Sequence, residues 1–331
     1  MSPAIASTIL FGLASALFTL HRLQRNKAKK LRRNSELWSI GLYEGPDPVT
    51  LAPAAGIINP IFSARDVTDI KARFVADPFM ISHKAQFYVF FEALNEKRNS
   101  GEIGFAKSSD LKTWHYGSIV LKEKFHLSYP YVFEHDGEIY MIPECAKSNA
   151  VRLYRAISFP SQWRYETSLV KGKKRYSPLF DPSIVRHNGH WYLFSYARKM
   201  NNLHLFTSAD LKGPWKEHPA SPIVSSSPSF ARPGGRVVHY EECLYRYAQD
   251  GVPRYGSKAW AFRITELTPE SYTEEPCPNG PVVEEGRESW RNAGMHTVDA
   301  HRMADGRWIA FVDGLEDTKL KYIRQEGKPT G

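Results

Sequence analysis

Short apolar segments separated by polar turns recur along most of this chain. Two of them, "FYVFFE" at 87–92 and "IYMIPE" at 139–144, each end in a glutamate. Apolar runs of this length bounded by turn residues are typical of β-strands rather than helices. The turns between them carry Gly or Asn beside charged residues, as in "EHDGE" and "RHNGH", which favours tight hairpins. The pattern predicts an all-β fold of antiparallel strands.

The strands repeat with a period of 52 residues. Glu92 and Glu144 are one period apart (144 − 92 = 52), and Tyr196, at the end of "WYLFSY", is one period further on. Upstream of these strands, Asp77 in "RFVADPFM" and Asp181 in "SPLFDPSIV" lie two periods apart. Two separate features therefore keep one spacing over three copies, which indicates a repeat architecture.

The repeat predicts a five-bladed β-propeller. Looser fourth and fifth copies pair "ARPGGRVV" with "CLYRYAQD" and "GMHTVDAHR" with "RWIAFVDG". Each unit holds about four strands in roughly 50 residues, the length of a propeller blade. The last unit lacks outer strands, and "LWSIGLYEG" at 37–45 is expected to supply one and close the ring. An irregular β-sandwich is the alternative, but it gives no reason for a repeated 52.

A propeller would bring equivalent polar residues of all blades to one mouth of its central channel. The innermost strands are expected to contribute Asp77, Tyr129, Asp181, Arg232 and His296. The second strands are expected to contribute Glu92, Glu144, Tyr196, Gln249, Asp250 and Asp313. Such a set of carboxylates, Arg and His on otherwise apolar strands is typical of an active or binding site.

Paired carboxylates suit hydrolysis of a glycosidic bond, in which one activates water and a protonated one donates to the leaving oxygen. Crowding raises one carboxyl pKa and so creates the acid. We expect Asp77 to be the base, Asp181 to orient or tune, and Glu144 to be the acid. The other polar residues named above, together with Arg236, are candidates for substrate binding.

Structural roles compete with each of these assignments. Glu92 and Glu144 could be ion-pair partners of Arg232 and Arg236, and the tyrosines could serve packing. His296 could hold an ion or a water on the axis, or be a hydrogen-bonded core histidine. No cofactor is expected apart from such an ion.

The positive charge of the chain is confined to its N-terminal segment. Residues 1–33 contain seven Lys and Arg and no acidic residue, although the whole chain has a net charge of +9. The remainder is nearly neutral, which argues against a nucleic-acid partner. Three cysteines without a CxxC motif indicate free thiols rather than a disulfide framework or a zinc site.

An uncharged apolar run precedes the basic cluster. "PAIASTILFGLASALFTL" covers residues 3–20, just long enough to cross about 30 Å of hydrocarbon as a helix. Residues 1–36 are therefore predicted to be a single-pass membrane anchor with a basic juxtamembrane segment, and residues 37–331 the propeller. The positive-inside rule would place the body in the cytoplasm. A cleaved signal or an organelle-targeting segment is the alternative reading.

The axial residues resemble those of five-bladed propeller glycosidases of families 43 and 32. Asp77 in "ADPF" and Asp181 in "DPSI" match the general base and the tuning Asp of the family 43 pattern. That resemblance implies a general-acid Glu on blade four, where this chain has Arg232. Either Glu144 or Asp250 would have to act instead, or the protein does not hydrolyse.

A narrower resemblance covers about residues 37–314. The segments "WSIGLYEG", "FVADPFM", "FHLSYPYVF", "YMIPE", "ARPGGRVV" and "GMHTVDA", in this order, resemble the N-terminal propeller domain of glucosamine inositolphosphorylceramide transferases. In those plant enzymes a separate C-terminal domain carries the sugar transfer, so the transferase activity is expected to lie outside this chain. The resemblance implies membrane glycan or glycolipid chemistry.

Three functional hypotheses follow. The first is a membrane-anchored, carbohydrate-active propeller with a hydrolase-like site. The second is a non-catalytic module that binds a glycan or glycolipid and assists a separate glycosyltransferase. The third, a protein-interaction propeller, predicts a plugged channel and an apolar rim, which the polar axis disfavours.

Overall fold

The structure is a computed structural model that describes residue 22 and residues 36–319. A compact unit extends from Trp38 to Glu316, and the terminal segments, residues 1–37 and 317–331, form a second unit. The predicted anchor at residues 3–20 lies outside the described residues. Within the described part of the chain, no helix has the length and apolar character needed to cross a membrane.

The strands form five antiparallel sheets, one for each blade of a propeller. Blade one contains β3 (Ala72–His83), β4 (Gln86–Asn95), β5 (Ser100–Ser108) and β6 (His115–Leu121). Blade two contains β7 (Ser128–His135), β8 (Glu138–Glu144), β9 (Ala150–Ser158) and β10 (Gln162–Lys171). Blade three contains β11 (Leu179–His187), β12 (His190–Ala197), β13 (Asn202–Ser208) and β14 (Lys216–Glu217). The predicted all-β propeller is confirmed.

The last two blades are less regular. Blade four contains β15 (Arg232–Pro233), β16 (Val238–Tyr240), β17 (Cys243–Asp250), β18 (Lys258–Leu267), β19 (Tyr272–Pro276) and β20 (Val283–Glu284). Blade five contains β21 (Val298–Arg302) and β22 (Trp308–Asp317), followed in the sheet by β1 (Glu36–Gly45) and β2 (Ala52–Pro53). Three short 3₁₀ helices lie between strands, at Ala64–Asp66, Ala146–Ser148 and Ser289–Arg291.

Blade five joins the two ends of the propeller. Its strand order is β21-β22-β1-β2, so a strand from the beginning of the unit pairs with the last strand. Ile40 of β1 is fully buried and packs in one cluster with Phe311 of β22. The prediction that residues 37–45 complete the last blade is confirmed, and β2 adds a second strand that the sequence pattern did not indicate.

The 52-residue period is also present in the backbone. Asp77, Tyr129 and Asp181 adopt positive φ values of 53°, 48° and 47°. A register shift follows at the same place in blades one to three, between Ala76 and Phe79 in the first. Positive φ values are uncommon for residues other than glycine, and a bulge redirects the strand locally. Each of these inner strands therefore bends at its repeat position, where it approaches the axis.

Blades four and five are in direct backbone contact at Gly235. Its φ is 149°, and a Cβ built on it would lie 1.8 Å from the backbone oxygen of Val298. Any side chain here would separate the two inner strands, which meet through a parallel bridge between these two residues. The glycines of "RPGGR" therefore have a packing role.

All three cysteines are free thiols, as the sequence predicted. Cys145 is buried, whereas Cys243 and Cys277 are partly exposed.

Candidate functional site at the propeller axis

Asp77 lies on β3 at the axis and is only 5% exposed. Its Oδ1 accepts a hydrogen bond from Oγ1 of Thr297 at 3.0 Å, and its Oδ2 accepts one from the backbone N–H of Tyr129 at 3.1 Å. Its own backbone N–H donates to Oδ2 of Asp313 at 3.0 Å. The carboxyl group thus links blades one, two and five.

His296 lies between two of these carboxylates. Its Nδ1 is 2.8 Å from Oδ1 of Asp313, and its Nε2 is 3.4 Å from Oδ1 of Asp77. Burial lowers the pKa of His296, but the charges of Asp313 and Asp77 outweigh it and the net shift is upward. Burial likewise raises the pKa of Asp313, but His296 and backbone N–H donors outweigh it and hold that pKa below its usual value. This cluster favours an imidazolium flanked by carboxylates.

Asp181 is held by two side chains of blade four. Nε of Arg232 lies 2.5 Å from its Oδ2, and Nε2 of Gln249 donates to the same oxygen at 2.7 Å. Burial opposes the charge of Arg232, but Asp181 outweighs this and raises the pKa of the guanidinium. Asp181 is therefore neutralised by an ion pair.

Among the described residues, Glu144 has no cation as a hydrogen-bond partner. Its Oε1 accepts the backbone N–H of Ala146 at 2.7 Å, and its Oε2 accepts from Oγ of Ser128 at 3.1 Å. Burial, followed by the charge of Asp181, raises the pKa of Glu144 to about 7. A large fraction of Glu144 is therefore protonated at neutral pH.

Glu92 is the least satisfied carboxyl group of the site. Its Oε1 is buried without a hydrogen bond within the described chain, and Nε2 of His126 lies 3.4 Å from it. Burial and then the charges of Asp77 and Glu144 raise the pKa of Glu92 well above its usual value. Burial also lowers the pKa of His126 to about 4, so that ring is neutral.

Asp77 has an intermediate acidity. Burial raises its pKa to about 6, with the charges of Asp313 and Asp181 adding to the effect and that of His296 opposing it. Because Asp181 contributes to this shift, the two Asp-Pro aspartates share one electrostatic field at the axis. The two aspartates and the two glutamates therefore form one group of interacting acids on blades one to three.

Tyr129 and Arg236, both predicted to bind substrate, are placed within the packed axis. The Tyr129 side chain is fully buried, and its hydroxyl lies 2.8 Å from Oγ of Ser183 and 2.6 Å from the N–H of Gly235. Nε of Arg236 is 2.6 Å from Oδ1 of Asp299. Both side chains connect blades across the axis.

Glu92 and Glu144 do not pair with the axial arginines. Arg232 pairs with Asp181, and Arg236 with Asp299. The alternative interpretation of the two glutamates as ion-pair partners of these arginines is therefore wrong. The inner strand of blade five supplies Asp299, which the sequence analysis did not single out.

Tyr196 and Asp250 lie at the edge of the site. The Tyr196 hydroxyl donates to Oδ1 of Asn201 at 2.5 Å, and Cζ of Arg232 lies 5.8 Å from its ring centroid. Asp250 instead accepts from Nε1 of Trp260 at 3.0 Å and from a loop N–H. Since successive strand residues point to opposite faces, Gln249 reaches Asp181 whereas Asp250 holds the loop after β17.

Asp77, His296 and Asp313 also meet the geometric requirement for a metal site. One ligand atom from each lies within 4.8 Å of the others, and all three residues are buried. Two carboxylates and an imidazole are a donor set that divalent transition metals accept. The same atoms hydrogen-bond to one another, so an ion would have to replace those bonds. The sequence-based expectation of an ion near His296 is thus compatible with the donor set.

Three aromatic and polar residues at the site were missed by sequence reasoning. The Trp38 ring lies 4.2 Å from that of His296, and the Tyr255 ring 5.2 Å from it. Thr297 donates to Asp77, as described above. Trp38 belongs to the ring-closing strand, and Tyr255 is 45% exposed in the loop after β17. Neither position follows the 52-residue period, so no repeat signal could have found them.

Comparison with known families identifies the family of the chain. Residues 32–315 match the family described as "Glucosamine inositolphosphorylceramide transferase 1, N-terminal". The chain belongs to this family. It is 37% identical over 300 residues to glucosamine inositolphosphorylceramide transferase 1 of Oryza sativa subsp. japonica. The aligned region covers 84% of this chain and 40% of the rice protein.

A second relative in the family gives the same picture. The Arabidopsis thaliana protein of the same name is 34% identical over 304 residues, covering 85% of this chain and 39% of that protein. The chain thus spans about two fifths of the length of these curated relatives. The suspected relationship is confirmed.

Solved structures that resemble this fold include an arabinanase and a family 117 glycoside hydrolase. An α-L-arabinanase of Cellvibrio cellulosa, solved with arabinohexaose, gives a TM-score of 0.53 at 15% identity and covers 72% of this chain and 90% of its own. A family 117 glycoside hydrolase of Zobellia galactanivorans gives 0.51 at 14% identity, covering 85% and 91%. At these identities the likeness shows the fold alone.

Proposed function

We propose that this chain acts on a glycan or glycolipid, with Asp77 as general base and Glu144 as general acid. The observation that carries the proposal is that two buried axial acids have different partners. Asp77 accepts from Thr297 and lies 3.4 Å from His296, whereas Glu144 accepts from Ser128 and a backbone N–H. Burial raises the pKa of Asp77 to about 6 and that of Glu144 to about 7. Glu144 therefore keeps its proton to a higher pH than Asp77 does. Environments that separate two carboxyl pKa values in this way are typical of acid–base pairs.

The reaction that this pair suits is hydrolysis of a glycosidic bond. Glu144 donates its proton to the glycosidic oxygen as the bond to the anomeric carbon breaks. Asp77 takes a proton from water as the water oxygen bonds to that carbon. After product release, Asp77 returns its proton to solvent and Glu144 takes one up.

Arg232 would tune the site rather than donate the proton. It stands where the family 43 resemblance implies a glutamate, and it neutralises Asp181 through a 2.5 Å contact. With Asp181 paired, the negative field at the axis is reduced, which limits how far the pKa of Glu144 rises. The exposed Tyr255, beneath the Arg232 guanidinium at 4.9 Å, offers a flat surface for a sugar ring at the mouth.

A non-catalytic glycan-binding module is the second candidate. The same Arg232–Asp181 pair favours it, because an arginine cannot donate the proton that the family 43 glutamate would supply at this position. In this role the chain would present a glycan or glycolipid to a separate glycosyltransferase, as the names of its relatives suggest.

A glycan panel scored for both binding and cleavage distinguishes the two candidates. For a glycan that is cleaved, Asp77→Asn should abolish turnover while thermal unfolding stays close to that of the parent protein. Full activity of this variant would remove Asp77 as the base. A glycan that binds without cleavage by the parent protein would favour the second candidate.

We further propose that residues 3–20 anchor the chain in a bilayer as a single span. The support is the uncharged run of this segment and the seven basic residues that follow it before residue 34, since such clusters favour an anionic membrane surface. The full-length chain should remain with membranes after carbonate extraction, and a chain starting at residue 34 should not. Release of the full-length chain would contradict the anchor.

A further inference from the structure

The connections between strands lie at two ends of the propeller. In an antiparallel blade, the hairpin after the second strand and the connection to the next blade share one end. This is the mouth end, where β4 and β8 finish at Asn95 and Glu144. In blades one to three its connections are residues 96–99, 122–127, 145–149, 172–178 and 198–201. The connections at the opposite end are residues 84–85, 109–114, 136–137, 159–161, 188–189 and 209–215.

The mouth end of these three blades is strongly basic. Its five connections contain ten Lys and Arg residues and two Glu residues. The connections at the opposite end of the same blades contain three basic and three acidic residues. The near-neutral total charge of the propeller therefore conceals a separation of charge along its axis. A surface with an excess of positive charge attracts an anionic partner.

The lysines of the mouth end are not neutralised by neighbouring carboxylates. Seven of the ten basic residues are lysines, and all seven are exposed. Among the residues that the structure describes, Lys71 and Lys212 are the only lysines with an ion-pair partner, and neither belongs to these connections. Seven ammonium groups at one end of the propeller are therefore available to an anionic surface.

Exposed apolar side chains lie at the same end as these lysines. Seven large apolar side chains of the described chain are exposed, and four of them lie in mouth-end connections: Met200, Phe230, Val252 and Tyr255. Met200 directly follows Lys199 and is 53% exposed. Single exposed apolar residues are ordinary, but a concentration at one face marks an interaction site. Apolar side chains together with unpaired lysines are the combination that binds the surface of an anionic bilayer.

The polypeptide also enters the propeller at the mouth end. Trp38 lies near the start of β1, and its ring centroid is 4.2 Å from that of His296 at the axial site. The apolar run at residues 3–20 and the seven basic residues after it precede this strand in the sequence. A chain held in a bilayer by that run would therefore be tethered at the end that carries the lysines.

We propose that the mouth end docks on the surface of an anionic phospholipid bilayer. Its lysines contact the anionic headgroups, and Met200 and Val252 enter the interfacial region. A nucleic acid would also attract the lysines, but it stacks its bases on aromatic rings and gives no role to these two aliphatic side chains. The proposal does not depend on the acid–base pair of Asp77 and Glu144, because neither residue belongs to the docking surface.

Lysine acetylation of the full-length protein on lipid nanodiscs, mapped by mass spectrometry, tests the proposal. Lys147, Lys174 and Lys199 should react roughly fivefold or more slowly on discs that contain phosphatidylserine than on discs of phosphatidylcholine alone, because anionic headgroups attract and cover them. Lys84 and Lys112, at the opposite end, should react equally on both discs. Equal protection at the two ends, or protection at neither, would overturn the proposal.

Salt and the form of the membrane provide two further controls. High salt should remove the difference between the discs, because salt screens exposed charges. If the full-length chain separates from phosphatidylcholine discs, added vesicles of the same two compositions replace the discs. Failure of the proposed anchor is thus seen separately and leaves the comparison of the two ends intact.

Matched lysine variants locate the charge that matters. Lys174→Gln with Lys199→Gln should remove most of the protection of Lys147 on anionic discs. Lys84→Gln with Lys112→Gln removes the same charge from the opposite end and should leave that protection unchanged. Equal protection of Lys147 in the two double variants would overturn the docking surface. Circular dichroism and thermal unfolding would establish that both are folded.

Apolar variants distinguish a bilayer from a nucleic acid. Met200→Ser with Val252→Ser should weaken the protection of Lys147 on anionic discs, whereas Ile157→Ser, which changes a 53% exposed isoleucine of β9, should not. Unchanged protection in the double variant would overturn the bilayer contact. Protection by a polynucleotide that equals that on anionic discs and does not depend on Met200 and Val252 would assign the surface to nucleic acid and overturn the proposal.

Discussion

At the residue scale, the axial site depends on four buried carboxyl groups with different partners. Asp181 has an arginine, Asp77 has a threonine and a histidine, Glu144 has a serine and a backbone N–H, and Glu92 has an oxygen without a hydrogen bond. Because desolvation disfavours the charged form, burial raises the pKa of Asp77, Glu92 and Glu144, and their partners limit how far each one rises. The partners, more than the residue types, decide which acid can donate a proton.

The pH dependence of any glycan cleavage follows from Asp77 and Glu144. The rate should rise as Asp77 ionises near pH 6 and fall as Glu144 ionises near pH 7, giving a narrow optimum between these values. Steady-state rates from pH 4 to 9 on a responsive glycan would measure it. In Glu144→Gln the alkaline limb should disappear along with most of the activity. Retention of that limb in the variant would assign it to another group.

Glu144 should lose its stabilising contribution as pH rises through the same range, whereas histidines with lowered pKa values, among them His126 and His204, gain theirs as pH rises towards 6.5. Glu144 has its pKa raised from 4.5 to about 7, so its stabilising contribution is complete below pH 4.5 and is lost as pH rises through 7. This difference is worth about 3 kcal/mol. The upward shifts for Asp77, Glu92 and His296 have the same sign.

Thermal unfolding between pH 5 and pH 8 measures this effect. The unfolding temperature of Glu144→Gln should change more favourably from pH 5 to pH 8 than that of the parent protein, because only the parent loses the Glu144 contribution over this interval. As a control, Glu134→Gln changes an exposed carboxyl group and should leave the dependence of unfolding temperature on pH unchanged. A parallel slope for parent and Glu144→Gln would contradict the assignment.

At the element scale, the ring is held together by strand β1. It lies third in a sheet whose inner strands come from the other end of the propeller unit. Its pairing with β22 joins two strands that lie more than 250 residues apart in sequence. Contacts of such high sequence separation carry a loop-closure cost, which the burial of β1 has to offset.

Truncating a buried side chain of β1 should weaken this closure. Ile40 is 0% exposed, and Ile40→Ala should lower the free energy of unfolding by about 2–5 kcal/mol. Ile58→Ala, in a loop where the isoleucine is 90% exposed, is the matched control and should change it little. Urea unfolding followed by tryptophan fluorescence would compare the two. Equal free energies of unfolding for the two variants would show that the packing of β1 does not contribute to the measured stability.

At the scale of the whole molecule, Arg236 links four of the five blades. From blade four it donates to Asp299 of blade five and to the carbonyl oxygens of Met80 in blade one and Val132 in blade two. Burial opposes its charge, but Asp299 outweighs this and raises the pKa of the guanidinium. The channel is thus filled at this level by a charged cross-link rather than by apolar side chains.

Removing this cross-link should destabilise every blade together. Arg236→Gln leaves a buried Asp299 without its main cation and should cost about 3–5 kcal/mol, whereas Arg236→Gln with Asp299→Asn should recover part of this loss. Arg263→Gln, which breaks an exposed pair with Glu275, should have little effect. Chemical denaturation would give the three values. A single-variant cost as small as that of Arg263→Gln would contradict the proposed role.

The sequence by itself determined the blades and the residues that reach the axis. Strand periodicity depends on local alternation and turn chemistry, and a 52-residue repeat forces equivalent positions such as Asp77 and Asp181 towards a common centre. Only the tertiary structure decided the partners of these residues. The pairing of Arg232 with Asp181, the burial of Tyr129, and the positions of Trp38, Tyr255 and Asp299 depend on contacts between blades. Since a pKa is set by such contacts and by the water they exclude, the chemistry of each axial acid could not be derived from the repeat.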